Sequence, residues 1–195
     1  ITGDGGFDFS MDFNKQESLS IKLVFCQICF AIAMQKKGGI FILKVFDIFT
    51  QGSIDLIYIL SSLYESVTII KPYTSRSANS ERYIVCKKYK IENSFELISS
   101  FSKFFPVINN RKLIIERFMN ISIPSYFINK LEDINAIIGQ QQLENILSTL
   151  SLLDNNNKLD KLDNIKKNNI QKCIQWCSKY KLPYNKNIQL INIFI

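Results

Sequence analysis

The chain has 195 residues, 47% of them hydrophobic with 15 Phe and 8 Tyr, which excludes a disordered polypeptide and supplies one well-buried core with room for a smaller appendage. A formal net charge of +7 and a pI near 9.1 favour an anionic partner such as nucleic acid or an acidic surface. The absence of histidine excludes a Ser-His-Asp triad, a His-ligated metal and an imidazole general base within this chain.

"ITGDGGFDFS" begins with Ile1 and Thr2 as the end of a strand, and Gly3, Asp4, Gly5 and Gly6 follow as a loop. From residue 17 to about 36, Ile21, Val24, Phe25, Ile28 and Ile32 recur at helical spacing, and "KKGG" adds cations and a glycine stop. Within it, the apolar run 23–34 is interrupted by Gln27 and reads as too short to cross a bilayer, so a soluble intracellular protein is expected. Cys26 and Cys29 form a C-x-x-C with no second pair at zinc spacing, and Cys173 and Cys177 stand four apart on another helix. Both pairs read as reduced thiols acting as small hydrophobes.

"GIFILKVF", 39–46, has the near-continuous β-rich pattern of a strand buried on both faces of a parallel sheet. Ser53 then caps a helix carrying Ile54, Ile57, Leu60 and Leu63 and ending near Glu65. "VTIIK", 67–71, is the next strand, stopped by Pro72, and "RYIVCKK", 82–88, is the last. Strand, helix, strand, helix, strand is the pattern of a doubly wound α/β sheet, whose ligands bind beyond the carboxyl ends of the strands. Asp4 follows the first strand and Lys44 lies near the end of the second. "PYTSRSANS" is too short for a helical crossover, so the fourth strand returns antiparallel and brings Glu81 to the rim that holds Asp4 and Lys44. A lysine between two carboxylates is either a tuned base or a fixed cation, and a structural salt bridge at a sheet edge produces the same pattern.

Three blocks, "ITGDGGFDFS", "GGIFILKVFDIFTQGSIDLIYILSSLYESVTIIKP" and "TSRSANSERYIVCK", resemble the second half of the FtsJ-like, RNA-cap ribose 2'-O-methyltransferases of eukaryotes and large cytoplasmic DNA viruses. The resemblance covers about the first 90 residues. It implies the carboxyl-terminal half of a Rossmann-like methyltransferase sheet with an antiparallel last strand, and S-adenosylmethionine-dependent methylation of a ribose 2'-hydroxyl near the 5' cap of mRNA. The family's Lys-Asp-Lys-Glu tetrad carries over as Asp4, Lys44 and Glu81 in catalytic roles. Its first lysine and the glycine-rich cofactor loop are expected upstream, on a longer polypeptide or a companion chain.

By the same resemblance, Asp4 and Gly5 lie nearest the cofactor, Lys71, Arg76, Asn79 and Arg82 contact RNA, and no metal is required. For Arg82, pairing with Glu81 or an exposed strand position is the alternative. Ser77 stands where the family commonly has proline, leaving that loop less rigid. The partners implied are capped RNA and the upstream half of the enzyme, with no membrane, in the cytoplasm or in a viral factory or virion. A non-catalytic methyltransferase-like scaffold or RNA-binding subunit is the other reading.

Beyond Lys90 the resemblance fades, and residues 91–195 read as a helical extension to the partial methyltransferase domain of residues 1–90. "NSFELISSFSKFFP", "RKLIIERFM", "PSYFINKLEDINAIIGQQQLENILSTLSLL" and "LDNIKKNNIQKCIQWCSKYK" all read as helices, with a solvated low-complexity loop near 154. Trp176, Tyr180 and Tyr184 suit either base stacking or packing of a helix. Residues 1–90 carry 11 Lys and Arg against 8 Asp and Glu, and the remainder 13 against 9, so no basic tail concentrates the charge. RNA binding would rest on a surface groove.

Overall fold

In a computed structural model, which describes residues 1–8, 12–110, 113–154 and 158–184, four strands form one sheet. They are β1 (Thr2–Gly3), β2 (Phe41–Val45), β3 (Tyr64–Ile70) and β4 (Arg82–Tyr89), in the order β1-β2-β4-β3. β1 and β2 run parallel, with Gly3 beside Leu43. β4 lies between β2 and β3 and runs antiparallel to both, as the short 71–81 connection requires. Two helices join the parallel strands: α1 (Gln16–Met34), preceded by a 3-10 turn at Phe13–Lys15, and α2 (Gln51–Leu63).

Helical spacing on α1 buries Ile21, Val24, Phe25, Ile28 and Ile32 against Leu43, Val45 and Ile84 of the sheet and Leu56, Ile57 and Leu60 of α2. Fully burying each such side chain contributes about 1.5–3 kcal/mol. The opposite sheet face, which carries Ile42, Lys44, Tyr83 and Val85, is half-buried, so β2 is covered on one face rather than two. Continuous helix over Phe13–Met34 is 22 residues long with a mean hydropathy of 1.6 in its most apolar window. By length and composition this segment could cross a membrane, contrary to the reading of the apolar run as too short. Its buried stripe on the sheet accounts for the same apolar content as core.

Local chemistry sets the element ends. Gly38, at φ +79°, turns the chain from α1 into β2 in a conformation that side chains disfavour, and its N–H donates to Tyr89 O at 2.7 Å. The cap of α2 is Thr50 rather than Ser53: the Thr50 hydroxyl accepts from Ser53 N. β3 begins at Tyr64, directly after α2, because Tyr64 and Ser66 find partners in Tyr89 and Lys87.

The chain divides into two compact units, Ile1–Asn145 and Ile146–Ile195. The first runs past residue 90 because Ile108 and Leu131 join the core of the sheet, and Phe25 stacks on Phe118 at 4.9 Å. Here lie α3 (Phe95–Ser102) and α4 (Phe105–Asn109), the second with Pro106 in its first turn, where the missing N–H costs no helical bond. The helix expected over 111–119 is absent among the described residues, 113–119. Phe118 and Met119 instead donate their N–H groups to the buried carboxylate of Asp55, at 2.8 and 3.2 Å. α5 (Ser125–Asp154) and α6 (Lys158–Lys179) are long helices; of the low-complexity stretch 154–169, expected as a loop followed by a helix start, residue 154 and residues 158–169 are helical, and 155–157 lie outside the described residues.

Candidate active site

Asp4 follows β1, Lys44 is the fourth residue of β2, and Glu81 immediately precedes β4, so the register puts all three on one rim of the sheet. Lys44 Nζ lies 2.7 Å from Asp4 Oδ1 and also donates to Asp4 O at 3.1 Å. The lysine side chain is 16% exposed and the aspartate 70%, so the pair stands at the boundary between the sheet and solvent. Glu81 takes a different partner: its Oε1 accepts from Tyr83 Oη at 3.2 Å.

Tyr83 is directly opposite Lys44 in the β2–β4 register. Burial pushes its hydroxyl above the usual tyrosine range, and the charges of Glu81 and Asp4 push it the same way. Both acids therefore act on the phenol that stands across from the lysine. Tyr83 was hidden in the apolar run "RYIVCKK". The available signal was its i, i+2 relation to Glu81, which puts both on one strand face.

The four residues expected to meet RNA separate into two kinds. Arg76 is exposed and lines a cleft of about 780 Å³ with Phe7, Phe46, Phe49, Asn79 and Glu81. Aromatic rings beside the Arg76 cation can accommodate a base together with its sugar and phosphate, although the lining also carries the carboxylates of Asp8, Glu17, Asp47 and Glu81. Asn79 lines the same cleft, although its Oδ1 already accepts from Lys71 Nζ at 3.0 Å.

Lys71 and Arg82 are engaged within the protein, Lys71 half-buried and Arg82 buried. The Lys71 ammonium donates to Asn79 O at 2.8 Å and Glu81 O at 2.9 Å as well as to Asn79 Oδ1, which uses all three of its N–H donors to hold the 72–81 loop closed. Burial lowers its pKa from the usual lysine value, against the raising effect of Glu81. Arg82 is 1% exposed and donates to Ser80 O, Asn135 Oδ1 and Asp47 Oδ1. It pairs with neither Glu81 nor solvent. At 1% exposed, the Arg82 side chain is not presented to a ligand at the surface.

Gly5 donates its N–H to Gln27 Oε1 at 2.9 Å, so the residue expected near a cofactor is also anchored to α1. Beneath the cleft, Glu17 at the start of α1 accepts from Phe49 N, Thr50 N and Thr50 Oγ1 and fixes the turn from β2 into α2. In the second unit, Trp176 and Tyr180 pack on one another with ring centroids 5.0 Å apart.

Comparison with known proteins agrees with this arrangement. A model of the FtsJ-like methyltransferase family matches residues 1–89. Cap-specific mRNA (nucleoside-2'-O-)-methyltransferase 1 of Bos taurus is 48% identical over 91 residues, 47% of this chain and 11% of that protein. The Caenorhabditis elegans protein of the same name is 48% identical over 92 residues, 47% of this chain and 10% of its own length. Cap-specific mRNA (nucleoside-2'-O-)-methyltransferase 2 of Pongo abelii is 32% identical over 174 residues, 89% of this chain and 22% of that protein, so likeness to it continues into the helical half. The chain thus spans between 10% and 22% of the length of these relatives. Residues 1–89, the part of the chain that carries Asp4, Lys44 and Glu81, match the FtsJ-like methyltransferase family.

Proposed function

We propose that this chain is the carboxyl-terminal part of an enzyme that methylates a ribose 2'-hydroxyl near the 5' cap of mRNA, with S-adenosylmethionine as methyl donor. The observation that carries the reading is the 2.7 Å contact of Lys44 with Asp4 on the rim that also bears Glu81. The curated relatives are named for this reaction. Capped RNA is the proposed substrate, no membrane is involved, and the cytoplasm is the proposed location.

A fit to the cofactor is supported on one side only. Asp4 presents a carboxylate that is 70% exposed at the rim, suited to a cationic or hydroxyl-bearing ligand. The glycine-rich loop that holds the cofactor in the family is distinct from the Gly3–Gly6 loop, and the proposal assigns it, with the tetrad's first lysine, to an upstream segment or companion chain. S-adenosylmethionine, when bound, supplies an electrophilic methyl group.

On this chain, Lys44 would orient the ribose oxygen and, in its neutral amine form, take up the hydroxyl proton as the new O–CH3 bond forms. Asp4 would orient the lysine through its two contacts. Tyr83, by holding Glu81, would keep that carboxylate from swinging away from the rim. Arg76 and the cleft rings would seat the nucleotide, and positioning of this kind supplies much of the barrier reduction when the nucleophile is weak.

The test is methyl transfer to capped RNA by the chain supplied with the segment that carries the glycine-rich loop, compared with Lys44→Ala. A loss of about a hundredfold or more is expected, the scale of general acid–base catalysis. Retention of most activity removes Lys44 from the mechanism. One observation favours a non-catalytic scaffold: Lys44 and Glu81 each have partners within the protein already. That reading predicts RNA retention with no transfer by either protein.

A further inference from the structure

Gln27 breaks the apolar run of α1, on a helix face where a hydrophobe would bury more area. Its side chain meets the Asp4 loop from below. Gln27 Oε1 accepts from Gly5 N at 2.9 Å, while its Nε2 donates to Leu23 O at 3.4 Å, back along its own helix. The amide is thereby held from both ends, with its oxygen directed at the loop.

The fit of loop to helix is close. A Cβ added at Gly3 would come within 2.9 Å of Gln27 Oε1, and one at Gly5 within 3.1 Å of Gln27 Oε1 and 3.0 Å of Leu23 Cδ2. The glycines on either side of Asp4 therefore lie flush on the Gln27 amide, and this fixes the backbone of the residue between them. Asp4 holds Lys44 through two oxygens, and one of them is its backbone carbonyl, at 3.1 Å. The Asp4 carbonyl and the Gly5 N–H belong to one trans peptide and point opposite ways, so a rotation of that peptide would turn the carbonyl away from the ammonium.

From this geometry we infer that Gln27 is a positioning residue for the Lys44–Asp4 pair: its oxygen locks the Asp4–Gly5 peptide so that the Asp4 carbonyl faces the lysine beside the carboxylate. Gln27 acts through Asp4 and touches no reacting atom. The inference rests on the proposed function for its catalytic consequence, while the locking itself can be measured without catalysis.

The experiment compares the 195-residue wild type with Gln27→Met, which keeps length and loses the acceptor, and Gln27→Glu, which keeps an acceptor oxygen. Two readouts use the chain alone: amide exchange at Gly5, and the persistence of the Lys44 ammonium protons in 15N NMR. Gln27→Met should speed exchange at Gly5 by about tenfold, the scale of one lost hydrogen bond, and weaken the Lys44 signal. Exchange at Leu43 should be unchanged, and Gln27→Glu should restore protection at Gly5.

Protection at Gly5 that is equal in wild type and Gln27→Met, or an intact Lys44 signal beside an unprotected Gly5, overturns the inference. If Gln27→Met fails to fold, Gly5→Ala displaces the loop from the opposite side of the same contact. A normal Lys44 signal in folded Gly5→Ala would then overturn it. In methyl transfer, Gln27→Met should lower kcat and leave KM for RNA unchanged, and it should add nothing when Lys44 is already Ala. A wild type without transfer activity refutes the proposed function, and the Gly5 and Lys44 measurements still decide the role of Gln27.

Discussion

The buried Arg82 pairs with the half-buried Asp47, Nη2 to Oδ1 at 3.2 Å, and ties the start of β4 to the turn after β2. Asn135 of α5 completes the knot by accepting from Arg82 at 2.7 Å and donating to Ile48 O at 2.9 Å. The position next to Glu81 thus serves as a strut under the rim. Removing the buried guanidinium leaves Ser80 O, Asn135 Oδ1 and the half-buried Asp47 without their donor, so Arg82→Met should cost about 2 kcal/mol in urea unfolding. A loss below about 1 kcal/mol, the scale of an exposed pair, would show that the strut carries no weight.

Exposure separates the remaining cations by how RNA affinity responds to salt. Each phosphate contact adds close to one unit to the slope of log K against log salt. Arg76→Ala should therefore weaken binding of a capped oligonucleotide and lower the slope by about one. Lys71→Met should loosen the 72–81 loop and weaken binding without changing the slope, because its three donors face Asn79 and Glu81. A slope reduced by Lys71→Met and untouched by Arg76→Ala would reverse these assignments.

Much of this arrangement was legible in the chain itself, and the reasons are specific. The convergence of Asp4, Lys44 and Glu81 follows from strand ends and one short connection, quantities that turn residues and apolar periodicity expose directly. What escaped was any detail set by long-range polar satisfaction. "SERY" reads as alternating strand residues whether Arg82 faces RNA or an aspartate of the same chain, and only the fold brings Asp47 and Asn135 to it, across 35 and 53 positions. "RKLIIERFM" has helical periodicity. It loses its helix to Asp55, which gathers the N–H groups of Phe118 and Met119 from 63 and 64 residues away. The Tyr83–Glu81 bond is the intermediate case, since strand alternation alone places both on one face.

Thiol chemistry should follow burial. Burial pushes the Cys29 and Cys86 thiols up to about 12, with the neighbouring Cys26 adding to the effect at Cys29. Only the thiolate is alkylated, so at pH 8 both should resist iodoacetamide in the folded chain, while the exposed Cys173 reacts. Mass spectrometry of a timed labelling reaction checks this. Modification of Cys86 as fast as Cys173 would mean that β4 is not held in the sheet.

Acid should unfold the first unit through Asp55. Its side chain is fully buried and paired with Arg117 at 3.1 Å. Burial alone would raise its carboxyl, but the Arg117 guanidinium, the Phe118 and Met119 N–H groups and the Gln51 amide outweigh it and hold the pKa below the ordinary 3.8. A group whose folded pKa is depressed contributes stability that is complete above its unfolded value and is lost as pH falls through the folded one. The window therefore opens near pH 3.8 and extends below it. Asp55→Asn replaces an acceptor with a donor facing N–H groups and should cost about 2–4 kcal/mol at pH 7. In urea unfolding at fixed pH, the difference between wild type and Asp55→Asn should shrink as the pH is lowered past this window. A difference that stays constant from neutral to strongly acid pH, or that grows, would mean that the carboxylate does not hold the 113–121 segment in place by its charge.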